Sequence, residues 1–288
     1  MTGERYNRGE MISPIQPGFK YAFWLFVGSI AFSISGLLVL RVFPSTMAFF
    51  GPYYADLVKA PTWTYMAVLP LLPIMMYARA LGWPRMILFL IWGCAIGGAS
   101  ELAGTMSYWT LGGVALPFGA YDYTHWLGPK FGGHVPYFIP LSWFAMSIIS
   151  LDLAYRVASS RWTVLLTASA FMVLWDVSLD PAMNYVFPFW QYEADGFFYG
   201  MPFSNWVGWF IVSLLIMISY ELMGGLEALS AWAPWVYILN CAFPLMISAL
   251  HGVFGAVAFG LLATAVPFVA IWFRRRHQTD EPALATRP

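Results

Sequence analysis

The chain has 288 residues, of which 60% are hydrophobic and only 10% charged, with a mean hydropathy of +0.67. That composition excludes an ordinary soluble globule and identifies an integral membrane protein. Its 14 basic residues balance its 14 acidic ones, so no nucleic-acid or polyanion partner is implied.

Residues 1–20 are polar and carry Arg5, Arg8 and Lys20 ahead of an apolar run at 21–40. The run is too long for a cleaved signal peptide and lacks a convincing cleavage site, so it reads as a first span. Further runs of spanning length lie at 62–78, 86–109, 136–155, 162–180 and 205–223. The final stretch, 232–273, would be about 63 Å long as one helix, roughly twice the hydrocarbon thickness, and must fold back. With the turn at His251-Gly252, the expectation is an all-α, polytopic bundle of eight spans. It forms one domain over 21–273, between a cytoplasmic segment 1–20 and a disordered cytoplasmic tail 274–288.

Lys and Arg collect on the cytoplasmic side of membrane proteins. With the N-terminus inside, the inner segments hold Arg5, Arg8, Lys20, Arg79, Arg85, Arg156, Arg161, Arg274, Arg275, Arg276 and Arg287. The outer segments hold Arg41, Lys59 and Lys130. Seven spans would strand the Arg274-Arg275-Arg276 cluster outside. Eight spans put both termini in the cytoplasm, and the expected location is a prokaryotic cytoplasmic (inner) membrane.

Three carboxylic acids interrupt the apolar runs: Glu101, Asp176 and Asp180. A carboxylate at the centre of a bilayer costs about 2.5–3.5 kcal/mol on insertion scales, so such groups face a bundle interior and mark a site. Neither run holds a Lys or Arg to explain them as ion pairs. Asp176 and Asp180 are one helical turn apart, on one face. Glu101 follows Arg85, and Asp176 follows Arg161, by nearly the same number of residues. Both therefore lie about 22–24 Å from the inner boundary, at one level. Small residues flank Glu101, namely Gly97, Gly98, Ala99 and Ser100 before it and Ala103 and Gly104 after it, and permit close helix approach. Pro181 is expected to end its helix at Asp180, near the outer interface, which leaves that acid nearer water. Asp152, four residues before Arg156, reads as half of a helix-surface ion pair. Glu221 is expected to reach water at the inner end of its span, and Asp122, Glu193 and Asp195 to be solvated in outer loops.

The outer loops 110–135 and 181–204 are rich in aromatics, Gly and Pro, which suits ordered caps better than flexible linkers. The aromatic share of 19% exceeds the need of two interfacial belts and suits a pocket for a long apolar or polyene ligand, with lipid-facing packing as the ordinary alternative. Cys94 and Cys241 read as packed free thiols. His125, His134 and His251 show no metal-ligand spacing with any Cys, so no metal site is expected. The final lysine is Lys130, which excludes a retinal Schiff base in a late span.

At these residues the chain resembles the carotenoid biosynthesis membrane protein family that contains the CruF-type carotenoid 1',2'-hydratases and the archaeal bisanhydrobacterioruberin hydratases. The matching elements are Glu101-Leu102-x-Gly104, Phe118-Gly119-x-Tyr121-x-Tyr123, Gly128-Pro129, Val135-Pro136, Ser142-Trp143, Asp176-x-x-x-Asp180-Pro181 and Gly200-x-Pro202-x-x-Asn205-x-x-Gly208-Trp209. They cover roughly residues 95–210. The resemblance implies addition of water to the terminal double bond of an acyclic carotenoid end group, as in lycopene or γ-carotene, with no cofactor. An acid must protonate the alkene, and water must capture the tertiary cation. Burial can hold one carboxyl neutral while another stays ionised.

On this reading Asp176 or Glu101 is the donor, the other stabilises the cation or activates water, and Asp180 orients water. Tyr121, Tyr123, Trp143, Trp175, Asn205 and Trp209 would bind substrate, the Trp and Tyr faces stabilising positive charge. The partners implied are the carotenoid, water and the lipid bilayer, with complexes with other carotenoid enzymes left open. Two alternatives stand beside it. Asp176-x-x-x-Asp180 resembles one half of the magnesium-diphosphate motif of an intramembrane prenyltransferase or lycopene elongase, although no basic residue adjoins it. A non-enzymatic carotenoid carrier or transporter would be favoured by inverted repeats, and none is visible.

Overall fold

The computed structural model describes residues 15–285, except 108, 112–113 and 194–195, and the side chains of 278–285 are also left undescribed. Arg5, Arg8, Asp195 and Arg287 therefore lie outside the described residues. The helices are α1 (Phe19–Val42), α2 (Met47–Phe50), α3 (Tyr54–Val68), α4 (Leu71–Leu81), α5 (Trp83–Thr105), α6 (Phe138–Tyr155), α7 (Arg161–Asp180), α8 (Phe203–Leu222), α9 (Ala233–Leu250) and α10 (Phe254–Ala285). Among the described residues, eight helical segments are long and apolar enough to cross a membrane.

Local chemistry sets several of the boundaries. Gly82, at φ 77°, closes α4, and Pro84 opens α5 in the first turn, where its missing N–H is harmless. Ser160 and Thr163 cap α7 reciprocally, satisfying backbone groups at its first turn. The His251-Gly252 turn separates α9 from α10 as expected, with Gly252 at φ 77°. Without a hydrophobic drive between helices in lipid, association rests on close packing. A Cβ at Gly97 would lie 2.6 Å from Trp143 Cγ on α6, and one at Gly93 would lie 3.0 Å from the Phe144 backbone. The glycines of α5 are what let α6 approach.

Four expectations need correction. The second span is not confined to 62–78, because the chain is helical over Pro44–Leu81. The span of α7 continues beyond Asp180 through one wide helical turn, Pro181–Val186. Pro181 has no backbone N–H, yet the chain stays helical past it, and Asp180 is 1% exposed rather than near water. Asp152 does pair with Arg156 at 2.8 Å, but it is fully buried, not on a helix surface. Glu221 is likewise buried, bonded to Tyr155 and 3.6 Å from Arg161 Nε.

The two ends of the bundle differ in charge. At one end Arg79 holds the Ile15 carbonyl, Arg85 pairs with Glu227, Arg161 faces Glu221 and Arg274 reaches Ser159. At the other, Lys59 sits over Trp126 and Lys130 holds the Tyr123 carbonyl. This second end carries the ordered loops. They contain the short antiparallel pairs β1 (Thr110–Leu111) with β2 (Val114–Ala115), and β4 (Lys130–Phe131) with β5 (Val135–Pro136). A third pair joins the two long loops, β3 (Tyr121–Tyr123) with β6 (Trp190–Tyr192).

Candidate active site

The β3–β6 pair shapes the site. Successive strand residues point to opposite faces, so Tyr121 and Tyr123 turn inward with Trp190 and Tyr192 opposite them, while Asp122 remains exposed. This aromatic plate lies over the point where α5, α6, α7 and α8 converge. Close approach is required there. A Cβ at Gly104 would lie 2.8 Å from the Tyr121 ring, and one at Gly208 would lie 2.2 Å from the Pro117 carbonyl oxygen.

One small pocket under the plate is lined by Glu101, Tyr121, Tyr123, Trp143, Trp175, Asp176, Asp180, Asn205 and Trp209, all singled out in the sequence. Glu101 and Asp176 line the same pocket. Phe118, Ile139, Ser142, Leu179, Trp190 and Tyr192 complete the wall. The important omissions are Trp190 and Tyr192, which bond directly to Asp180. Their signal was the aromatic-polar-aromatic triplet Trp190-Gln191-Tyr192, which mirrors Tyr121-Asp122-Tyr123 in the other loop.

The three acids have different surroundings. Glu101 is 3% exposed and accepts from Tyr121 Oη, from Tyr123 Oη at 2.8 Å and from Trp143 Nε1 at 2.8 Å. Asp180 accepts from Trp190 Nε1 at 2.6 Å, Tyr192 Oη at 3.0 Å and Asn205 Nδ2 at 3.2 Å. Asp176 receives only Asn205 Nδ2, at 2.9 Å on Oδ2, while its Oδ1 is buried without a partner among the described residues. Trp175 Nε1 is also buried and unpaired.

Burial, and next the Glu101 charge, hold the Tyr121 and Tyr123 hydroxyls well above the ordinary phenol range. Burial, and next the Asp180 charge, do the same for Tyr192. All three phenols stay protonated and donate. Carboxylates accept but cannot donate, so three donors apiece suit ionised Glu101 and Asp180. Of the three acids, Asp176 is the one with an oxygen that no described donor occupies.

Trp143 and Trp209 have ring centroids 4.4 Å apart, and Trp175 stands edge-on to Trp209 at 5.5 Å. These rings supply π-faces beside the acids. The pocket has a volume of about 40 Å³, enough for a few water molecules at about 10–15 Å³ each. A second cavity of about 350 Å³, almost wholly apolar, shares the walls Ile139, Ser142, Trp175, Leu179 and Trp190. Neither cavity is lined by Lys or Arg. Among the described residues no group of three His, Cys, Asp or Glu side chains could hold a metal ion, and His125, His134 and His251 stand apart from the pocket. Cys94 and Cys241 are free thiols.

Fold and site together define a polytopic membrane protein with a buried carboxylate pocket beside an apolar cavity. Residues 62–267 match the carotenoid biosynthesis protein family, and the chain belongs to that family. A stretch of 126 residues is 31% identical to the bisanhydrobacterioruberin hydratase of Haloarcula japonica, covering 42% of this chain and 40% of that relative. No solved structure matches the chain.

Proposed function

We propose that this protein is a carotenoid hydratase, adding water across the terminal double bond of an acyclic end group, as in lycopene or γ-carotene, to give a tertiary alcohol at the 1' carbon. The observation that carries this reading is the unequal bonding of the three acids beside an apolar cavity. Asp176 is the general acid: its proton goes to the less substituted alkene carbon, and the π electrons form the new C–H bond. The positive charge left on the tertiary carbon sits between ionised Glu101 and Asp180 and the faces of Trp143, Trp175 and Trp209, which stabilise it. Water from the small polar pocket adds to the cation, and its surplus proton returns to the Asp176 carboxylate. The cycle consumes one water and restores the enzyme, with no redox step. Family membership and a relative named as a hydratase support the same chemistry.

The hydratase reading also places the protein in a prokaryotic cytoplasmic membrane, with the arginine-bearing end of the bundle and both termini inside. Reporter fusions after Arg161 should then read as cytoplasmic and fusions within 188–193 as external; the reverse pattern would overturn this orientation. For the chemistry, membranes containing the protein and supplied with lycopene should form a product heavier by one water without NADPH, oxygen or added magnesium. Product that instead required a prenyl diphosphate and magnesium would replace hydration with prenyl transfer.

A further inference from the structure

The larger cavity does more than adjoin the acids. Its wall is built by the C-terminal half of α1 with α2 and α3 on one side, and by α6, α7 and α9 on the other. Phe32, Ser35, Gly36 and Val39 of α1 line it and are also exposed on the outside of the bundle. The cavity therefore opens sideways, toward lipid, through a slot where α1 presents small residues. A Cβ added at Gly36 would meet nothing within 4 Å.

Resting on the hydratase reading, we propose that this cavity is the site for the polyene tail. The substrate enters sideways from the bilayer past Gly36, its end group passes Trp175 and Trp190 to reach the acids, and its far end stays in the lipid. The shared walls argue for this occupant over a membrane acyl chain, because they join the slot to the reacting groups through two flat aromatic side chains. Size argues for partial insertion. The volume of about 350 Å³ is near the bottom of the roughly 300–1,000 Å³ range of small-ligand sites. An extended carotenoid, comparable in length with the hydrocarbon layer at roughly 30 Å, does not fit whole. Two consequences follow from that mismatch. The enzyme reads the near end group and its adjoining polyene but not the far end, and a symmetric substrate is hydrated one end at a time, with release between the two events.

The test compares Gly36→Ala, Gly36→Leu and Gly36→Trp with the same three changes at Gly28. Gly28 is exposed on the same helix, faces open space and lies outside the cavity wall. With the purified protein in lipid nanodiscs, lycopene binding is read from the shift of its visible absorption and hydration from product mass, with thermal unfolding to compare folding. The Gly36 series should raise both the apparent Kd and KM in steps with side-chain size, by roughly tenfold or more at Trp, while the Gly28 series leaves them unchanged. Singly hydrated product should accumulate before the doubly hydrated one. Should Gly36→Leu, folded as well as Gly28→Leu, bind and turn over lycopene as the wild type does, the slot holds lipid only and the proposal falls. Lycopene binding that depends on Gly36 without any hydrated product would uphold the tail site and overturn the hydratase reading instead.

Discussion

Two sets of buried acids occupy opposite ends of this bundle, and they are built in opposite ways. Toward the arginine-bearing end, Asp152 is fully buried, yet every demand on it is met. Arg156 Nε lies 2.8 Å from Oδ1, and Tyr77 Oη and the Ser230 backbone N–H, each at 2.7 Å, take Oδ2. It lines neither of the two cavities at the other end. Under the aromatic plate, Glu101, Asp176 and Asp180 are as deeply buried but have no cation beside them, only phenols, indoles and one amide. One of their oxygens has no partner among the described residues, and a cavity touches all three. Burial of a carboxylate is therefore not enough to mark chemistry. A counter-ion and a full set of donors make a structural joint, whereas missing charge compensation beside open space marks a candidate site.

The sharpest way to break this comparison is to remove acidity where the contrast says chemistry happens. Asp176→Asn keeps shape and the bond to Asn205 while deleting the transferable proton, and it should reduce hydration by at least about two orders of magnitude. Glu101→Gln should fall as far, because Gln cannot accept from three donors with both of its terminal atoms. The measurement is the hydroxylated fraction of the pigment at matched membrane expression. Near-normal hydration by both variants would make these acids structural.

Asp152→Asn should show the converse behaviour. Removing one member of a buried ion pair destabilises a fold by about 3–5 kcal/mol, so thermal unfolding in detergent should move sharply down. The rate per folded molecule should hardly change. A lowered rate with unchanged stability would erase the distinction between the two ends.

A smaller effect is expected at Asp180. Its burial and three donors give Asp180→Asn a loss of about two orders of magnitude in rate, the low end for electrostatic stabilisers at active sites. A rate within a factor of two of the wild type would remove Asp180 from the site. Smallest is Tyr192→Phe, which takes one neutral donor from Asp180. At the low end of the roughly 1.5–3 kcal/mol for a hydrogen bond to a charged group, the rate should drop by about tenfold, and a much larger loss would show that Tyr192 touches substrate or water directly.

Much of this protein was already determined by its sequence. Apolar runs of bilayer length, the segregation of arginines and the His251-Gly252 turn specify eight spans, because hydrocarbon tolerates neither exposed backbone groups nor scattered charge. The same intolerance singled out Glu101, Asp176 and Asp180, and the helical repeat put them at one level. What only the tertiary structure decided is how each acid is satisfied. Trp190 and Tyr192 reach Asp180 because two loops distant in sequence pair as strands, and a three-residue strand contact leaves almost no periodic signal. The wide turn after Pro181 keeps Asp180 inside, although proline alone points to a helix end in water. Asp152 and Arg156 carry the spacing of a surface pair, yet the packing of Tyr77 and Ser230 from other segments closes them in. Depth along a helix follows from counting residues. Which side of that helix meets a donor, a cation or a cavity depends on neighbours that the chain acquires only when it folds.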